Sequence, residues 1–310
     1  MRHTSFGNTG FSVSALGFGA APIGLLDTEQ ERVSTILNLL LDRGVNLIDT
    51  AAMYEGSEEL IAKAVGHRRD EFVLVTKCGT KVPGVEGEEW SEQLITQSVD
   101  RALQRLKTDR LDVMLLHTCD KSVLEKGEAL GALVAAREAG KIRFVGYSGD
   151  NEAVAYAATL PDVAVVETSI NICDQVNIDT LLPIARERNL GVLAKRPVAN
   201  TVWKSPDKQP GLYRAYSAQY AQRFESMGLT PEALGFSGDP EQAWPEIALR
   251  FVISQPGVHT AIIGTTNPAN AQANIRAAEA GPLPPETVEA IRAAFRDAEA
   301  GSGGKWPGLT

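Results

Sequence analysis

The chain has 310 residues, 44% of them hydrophobic and 22% charged, so it can bury a large core without disulfide cross-links. Disordered, fibrous and disulfide-scaffold proteins are therefore excluded, and three scattered cysteines favour the reducing cytoplasm. The formal net charge of −9 disfavours a nucleic-acid partner, because 39 acidic residues outnumber 30 basic ones.

A β-hairpin is predicted first, over residues 1–14, because the turn signal Asn8-Thr9-Gly10 separates two strand-like runs. After the hairpin, short β-branched apolar runs alternate with segments whose apolar residues recur every three to four positions. The eight runs that we predict to be strands cover residues 16–19, 46–49, 73–77, 112–117, 144–148, 165–169, 191–195 and 261–264.

The alternation of strands and helices predicts an α/β fold. Strands that are separated by helices run parallel, and eight such units most simply close into a (β/α)8 TIM barrel. The competing fold is a doubly wound open sheet, which is disfavoured because no Gly-x-Gly-x-x-Gly opens a helix after the first strand. No linker divides the sequence, so residues 1–310 are predicted to form a single domain.

Two segments depart from the repeat. Residues 196–240, after the seventh strand, form a connection of unusual length, and such connections are commonly functional. The segment is rich in aromatic residues, which predicts that it contains a short helix. These residues either pack the segment onto the barrel or line a substrate pocket. They are Trp203, Tyr213, Tyr216, Tyr220 and Phe224. The glycine-rich tail of residues 301–310 is predicted to be flexible, with Trp306 as its only anchor.

Titratable residues close three consecutive predicted strands. Asp49 ends the second strand, Lys77 the third and His117 the fourth. Neighbouring strands lie about 5 Å apart, and a parallel barrel carries its reactive groups at the carboxyl ends of its strands. Tyr54 follows Asp49 in the next loop, so we expect these four residues to converge.

The chemistry of such a group can be argued from its members. A tyrosine has a pKa near 10 and exchanges protons poorly at neutral pH. An adjacent ammonium stabilises the phenolate, and a carboxylate beside the lysine keeps that lysine charged. A histidine across the pocket can hold a carbonyl oxygen near the phenol. The set therefore suits proton transfer to a carbonyl oxygen while a hydride adds to carbon. The hydride source must be recruited, because no side chain carries one.

Residues 44–58 (GVNLIDTAAMYEGSE) resemble the signature of the aldo-keto reductases. The resemblance continues through residues 75–77, 103–117, 140–148 and 258–274 (VHTAIIGTTNPANAQAN), and it covers nearly the whole chain. It implies that Tyr54 is the general acid/base, that Asp49 and Lys77 tune it, and that His117 orients the substrate carbonyl. It also implies a nicotinamide cofactor bound in an extended form across the barrel mouth.

The resemblance assigns thirteen cofactor contacts: Gly19, Ala20, Asp49, Ser148, Glu167, Lys195, Pro197, Val198, Gly264, Thr265, Thr266, Asn270 and Asn274. Three positions depart from the family pattern. Gly149 follows Ser148 where the family commonly has asparagine, and Glu167 stands where it commonly has glutamine. Lys195 replaces an aromatic residue that stacks on the nicotinamide.

The choice between the two nicotinamide cofactors is open at this point. Relatives that prefer NADPH carry lysine or arginine near the eighth strand, whereas residues 264–270 are uncharged here and Arg276 lies one turn beyond Asn270. We predict NADPH, with NADH as the alternative.

The predicted function is an NAD(P)H-dependent oxidoreductase that interconverts a small-molecule carbonyl (an aldehyde, ketone or sugar) and an alcohol. The alternatives are a cofactor-binding regulatory module with incidental turnover, an NAD-dependent sugar or alcohol dehydrogenase, and a Schiff-base aldolase that uses Lys77 or Lys195. No metal is expected, because His117 and Cys119 lack ligand spacing. No membrane association is expected either, because no run of about 18 apolar residues occurs.

Overall fold

The computed structural model describes residues 1–205 and 214–309. The chain begins with an antiparallel hairpin of β1 (His3–Ser5) and β2 (Ser12–Ser14). Eight parallel strands then form a closed barrel, in which β10 pairs with both β3 and β9. They are β3 (Leu16–Gly19), β4 (Leu47–Asp49), β5 (Val73–Cys78), β6 (Leu111–His117), β7 (Ile142–Ser148), β8 (Val163–Ser169), β9 (Gly191–Lys195) and β10 (Thr260–Ile263). The predicted (β/α)8 barrel and its hairpin are confirmed.

Helices surround the barrel. They are α1 (Ala21–Leu25), α2 (Gln30–Asp42), α3 (Ser57–Val65), α4 (Glu92–Leu106), α5 (Lys121–Lys126), α6 (Glu128–Glu138), α7 (Asn151–Ala157), α8 (Val176–Thr180), α9 (Leu182–Glu187), α10 (Arg214–Met227), α11 (Pro240–Ile253), α12 (Pro268–Glu279) and α13 (Pro285–Gly301). The face of α2 that carries Val33, Ile36 and Leu37 is buried, because apolar residues at this spacing form one stripe along a helix. In the described chain, no helix has the length and apolar character needed to cross a membrane.

Apolar side chains fill the barrel interior. Val75, Leu115 and Val165 belong to one buried cluster inside the strands, and Phe6 of the hairpin belongs to the same cluster. The hairpin therefore closes the amino-terminal end of the barrel. Gly191 is required at this end, because a Cβ there would lie 2.8 Å from the ring of Phe6. The polar site is thus confined to the opposite, carboxyl end of the strands.

The long connection after β9 packs onto the barrel through its aromatic residues. It contains 3-10 turns at Ala199–Thr201 and Glu232–Leu234 in addition to α10. Trp203 stacks on Trp244 with ring centroids 6.1 Å apart, and Phe224 meets Trp244 edge-on at 4.9 Å. Tyr213 lies outside the described residues, as does the side chain of Tyr216. The sequence left open whether the aromatic residues pack this segment onto the barrel or line a substrate pocket. For Trp203 and Phe224, the structure supports packing.

The carboxyl-terminal tail is held by more than the single anchor expected from its sequence. Trp306 does pack edge-on against Phe295, with centroids 5.1 Å apart. In addition, Asn151 Oδ1 accepts a hydrogen bond from the Gly308 N–H at 2.7 Å, and Asp174 Oδ2 accepts one from the Leu309 N–H at 2.9 Å. The expectation of Trp306 as the only anchor is therefore wrong, because the side chains of Asn151 and Asp174, which follow β7 and β8, bind the tail's backbone.

Candidate active site

The structure brings Asp49, Lys77 and His117 together at the carboxyl ends of β4, β5 and β6. The Nζ atom of Lys77 lies 2.6 and 2.7 Å from the two carboxylate oxygens of Asp49, and it also donates to the Thr50 carbonyl at 3.1 Å. The side chains of Lys77 and Asp49 are almost completely buried. A buried ion pair with these short contacts fixes the ammonium in one place.

Tyr54 lies over this ion pair. The Lys77 Nζ atom is 5.4 Å from the centroid of the Tyr54 ring, and the rings of Tyr54 and His117 meet edge to face at 6.1 Å. The loop that carries Tyr54 is fixed by α1, because a Cβ on Gly24 would lie only 2.9 Å from the Tyr54 carbonyl oxygen. The phenol and the imidazole therefore face the same space at the barrel mouth.

At the carboxyl end of the barrel, two carboxyl groups lie against one ammonium, because Glu167 as well as Asp49 reaches Lys77. The Oε2 atom of Glu167 lies 3.4 Å from Lys77 Nζ. Burial would lower the pKa of Lys77, but the carboxylates of Asp49 and Glu167 outweigh it and raise that pKa. Burial and the neighbouring Glu167 raise the pKa of Asp49 well above its usual value. Lys77 therefore stays an ammonium ion.

His117 is the uncharged member of the group. Burial, followed by the positive charges of Lys77 and Lys195, lowers its pKa well below the usual value. A neutral imidazole carries one N–H donor and one acceptor nitrogen. His117 can therefore donate a hydrogen bond to a carbonyl oxygen without carrying a charge at neutral pH.

The opposite side of the mouth is formed by the ends of β7, β8 and β9. His117 lies opposite Ser148 in the sheet, and Ser148 lies opposite Glu167. The Ser148 hydroxyl donates to Glu167 Oε1 at 3.0 Å. An asparagine at position 149 would require Tyr147 to move, because a Cβ there would lie 2.4 Å from the Tyr147 hydroxyl oxygen.

Lys195, which replaces the expected aromatic residue, forms a second buried ion pair. Its Nζ atom lies 3.0 Å from Asp150 Oδ2. Asp150 also accepts hydrogen bonds from the Thr168 hydroxyl at 2.8 Å and the Ser169 N–H at 2.7 Å. The charge of Lys195 is thus compensated by Asp150, which is itself held by β8.

Neither lysine at a strand end is suited to a Schiff base. That reaction needs a neutral amine as nucleophile. The pKa of Lys77 is raised by two carboxylates, and Lys195 is in an ion pair with Asp150. This argues against the aldolase alternative.

The remaining cofactor candidates line the same end of the barrel. Gly19 and Gly264 meet at the β3–β10 seam, since a Cβ on Gly264 would lie 2.4 Å from the Gly19 carbonyl oxygen. The Ala20 N–H donates to the Asp49 carbonyl at 2.8 Å. Pro197 and Val198 form the turn directly after β9. These candidates therefore surround the barrel mouth.

The loop after β10 leads into α12. The hydroxyl of Thr265 is tied to the Asn267 backbone. Asn270 is exposed, whereas Asn274 lies one turn further along α12 and is half-buried. Thr266 lines a cavity of about 230 Å³ together with Leu26, Asp27, Thr28, Glu29 and Arg32.

Sequence reasoning missed Arg32 as a candidate contact. It is the one cation among the described residues that line the cavity at Thr266. The sequence offered no signal for it, because Arg32 belongs to the exposed side of α2, far from residue 266 along the chain.

The buried polar atoms fit a nicotinamide cofactor. The described residues include several buried polar atoms without a hydrogen-bond partner, and three of these are Glu167 Oε2, Asn200 Nδ2 and Trp203 Nε1. Such atoms are costly unless a bound molecule satisfies them. One acceptor and two donors thus lie at or after the ends of β8 and β9. Within residues 1–205 and 214–309, no group of three potential metal ligands occurs.

Comparisons with known proteins agree with this geometry. The family model described as "Aldo/keto reductase family" matches residues 15–296. The chain is 28% identical to the uncharacterized oxidoreductase YqkF of Bacillus subtilis (strain 168), over 94% of this chain and 96% of YqkF. It is 26% identical to L-galactose dehydrogenase of Arabidopsis thaliana, over 88% of this chain and 86% of that enzyme. The solved holo form of the aldo-keto reductase AKR11C1 from Bacillus halodurans has a TM-score of 0.78 and 25% identity, covering 95% of this chain and 96% of that one.

Proposed function

The chain belongs to the aldo/keto reductase family of NAD(P)H-linked oxidoreductases, and from that premise we propose that it interconverts a small-molecule carbonyl and the corresponding alcohol, with Tyr54 as general acid/base. One observation carries this proposal. Lys77, bound to Asp49 at 2.6 Å, lies 5.4 Å from the ring of Tyr54, whose other neighbour is His117.

The residues have distinct roles in the proposed reaction. The Tyr54 hydroxyl donates its proton to the carbonyl oxygen while a hydride adds to the carbonyl carbon, and in the reverse direction the phenolate takes the proton back. The Lys77 ammonium stabilises the phenolate that forms, because it is held within a short distance of the ring. Asp49 holds Lys77, and neutral His117 donates a hydrogen bond that orients the carbonyl oxygen.

A bound nicotinamide cofactor supplies the hydride. The backbone of Gly19 and Ala20, the Ser148–Glu167 pair and the turn of Pro197 and Val198 would hold its nicotinamide end. The β10 loop would hold the remainder through Gly264, Thr265, Thr266, Asn270 and Asn274. The buried Glu167 Oε2, Asn200 Nδ2 and Trp203 Nε1 atoms support this assignment, since each lacks a hydrogen-bond partner among the described residues.

Tyr54→Phe tests the role of Tyr54. Removing the hydroxyl should lower kcat about 100-fold or more, the usual scale of general acid catalysis. Cofactor affinity, measured by fluorescence titration, should change little, because the phenol acts on the substrate oxygen. Wild-type turnover in the variant would contradict the assignment. Cofactor binding without turnover of any carbonyl or alcohol by the wild type would favour the regulatory-module alternative.

We propose NADPH as the cofactor, with Arg32 as the cation that the uncharged β10 loop lacks. Arg32 and Thr266 line one cavity with Asp27 and Glu29, and Arg32 is the one positively charged group among the described residues of this lining that would attract a 2′-phosphate held by the Thr266 loop. Arg32→Ala should weaken NADPH binding about 3- to 5-fold, the scale of a solvated ion pair, and leave NADH binding unchanged.

Arg276→Ala is the matched control, since Arg276 is exposed on α12. If that variant instead weakens NADPH binding, Arg276 is the contact. Tighter binding of NADH than of NADPH by the wild type would contradict the proposal for the cofactor.

A second candidate is NAD-dependent oxidation of a sugar or another alcohol. The similarity to L-galactose dehydrogenase and the uncharged residues 264–270 favour it. A preference for NADH in the titration would make a panel of sugars with NAD the first activity screen.

We also propose that the chain acts as a single domain in the cytoplasm. The three cysteines, Cys78, Cys119 and Cys173, are buried and unpaired, which supports a reducing compartment.

A further inference from the structure

The two carboxylate oxygens of Glu167 have different surroundings. Oε1 accepts a hydrogen bond from Ser148 Oγ at 3.0 Å. Oε2 lies 3.4 Å from Lys77 Nζ and accepts no hydrogen bond from the residues that the structure describes. Because Glu167 is buried, an oxygen in this state has lost its water without gaining a donor. A donor or a positive charge on a bound molecule would compensate it.

Glu167 shares its cation, Lys77, with Asp49. The ammonium of Lys77 is already bound by both oxygens of Asp49, at 2.6 and 2.7 Å. Lys195 binds Asp150 at 3.0 Å, and Arg196 donates to Ser169 Oγ and to the Leu309 carbonyl. When ionised, Asp49 and Glu167 outnumber Lys77 by one charge, so the cluster around Lys77 has a net charge of −1.

The two redox forms of a nicotinamide cofactor differ in charge at the ring. The oxidised ring is a cation, whereas the reduced ring is neutral, and both forms carry the same carboxamide N–H donors. A carboxylate can accept from the carboxamide in both forms, but it attracts the ring only in the oxidised form. A glutamine at this position could make the hydrogen bond without the charge.

We propose that Glu167 is a redox-state specificity residue that makes this site bind the oxidised nicotinamide cofactor in preference to the reduced one. The inference rests on the proposed function, because it needs the nicotinamide to bind near Tyr54 and Lys77. Lys77 connects the two groups, since its Nζ atom is 3.4 Å from Glu167 and 5.4 Å from the Tyr54 ring centroid.

Glu167→Gln tests the proposal, because it removes the charge and preserves the shape of the side chain. The dissociation constants for NADP⁺ and NADPH, and for NAD⁺ and NADH, are measured by titration calorimetry at one pH and salt concentration. The oxidised forms should bind about 10-fold or more weakly in the variant, and the reduced forms should change less than about 3-fold, because a charge effect acts only on the cationic ring.

Glu58→Gln is the matched control. Glu58 is also a buried glutamate, but it faces Arg101 at 3.2 Å and Thr76 at 3.2 Å, between α3, α4 and β5. The same chemical change there should leave the ratio of oxidised to reduced affinity as in the wild type.

The outcomes separate the inference from the function on which it rests. An equal change in the affinity for both redox forms in Glu167→Gln would overturn the inference and leave the proposed function intact. Failure of the wild type to bind either form would contradict the proposed function itself. The thermal melting curve shows whether Glu167→Gln folds. If it does not fold, the wild type decides: tighter binding of the oxidised form supports the inference, and equal or tighter binding of the reduced form overturns it.

Discussion

Two buried aspartate–lysine pairs lie at the barrel mouth, and they differ in what surrounds the aspartate. Asp49 and Lys77 join β4 to β5 at 2.6 Å, and Asp150 and Lys195 join the loop after β7 to β9 at 3.0 Å. Burial would raise the pKa of Asp150, but Lys195 and hydrogen bonds from the neighbouring strand outweigh it and lower that pKa. Burial and a second carboxylate raise the pKa of Asp49 instead.

The difference lies in the number of donors around each pair. Asp150 accepts from the Thr168 hydroxyl, the Ser169 N–H and the Asn177 side-chain amide as well as from Lys195. Asp49 shares Lys77 with Glu167. The Asp150 carboxylate is therefore satisfied by several donors, and with Lys195 it links the loop after β7 to β8 and β9. The Asp49–Lys77 pair has a second carboxyl group, that of Glu167, on the same ammonium beside Tyr54, where a proton and a hydride are proposed to move.

Replacing each lysine by methionine tests this comparison most strongly. Lys77→Met leaves Asp49 and Glu167 buried without a cation, so it should lower the free energy of unfolding by about 3–5 kcal/mol and reduce kcat about 100-fold or more. Lys195→Met should cost less stability, because Asp150 keeps four neutral donors. Urea unfolding and steady-state kinetics measure both quantities. Equal losses in the two variants would show that the surroundings of the aspartates do not matter.

A third buried aspartate, which has no lysine partner, sharpens the comparison with a smaller effect. Asp174 accepts hydrogen bonds from the Tyr220 hydroxyl and the Leu309 N–H, each at 2.9 Å, and burial raises its pKa from 3.8 to about 7. Between these two values the folded state keeps the proton that the unfolded state has lost. This group therefore makes stability fall as the pH rises, by about 1.4 kcal/mol per pH unit.

Asp174→Asn removes that titration. The difference in unfolding free energy between wild type and variant, measured by urea unfolding at pH 4 to 8, should shift in favour of the variant as the pH rises and then level off above about 7. A difference that does not change with pH would contradict the raised pKa of Asp174.

Local patterns in the sequence were sufficient for the fold. The predicted strand over residues 191–195 is β9, and the predicted strand over residues 112–117 differs from β6 by one residue. Strand and helix periodicities are properties of neighbouring residues, so a sequence displays them directly. The positions of Asp49, Lys77 and His117 at strand ends then followed from topology, since parallel strands bring their carboxyl ends to one edge. Their catalytic roles remain predictions.

Contacts between distant residues were decided only by the tertiary structure. No local pattern relates Lys195 to Asp150, Arg32 to Thr266, or the tail at Leu309 to Asp174. Each of these pairs is brought close by the direction of a side chain on the closed barrel and by the loop that lies beside it, and neither feature is periodic in the sequence. The amino-acid sequence by itself determined the barrel and the polar residues at its mouth. Packing in three dimensions determined which of those charges are neutralised and left Glu167 beside Lys77 with an oxygen for which the described chain supplies no hydrogen-bond donor.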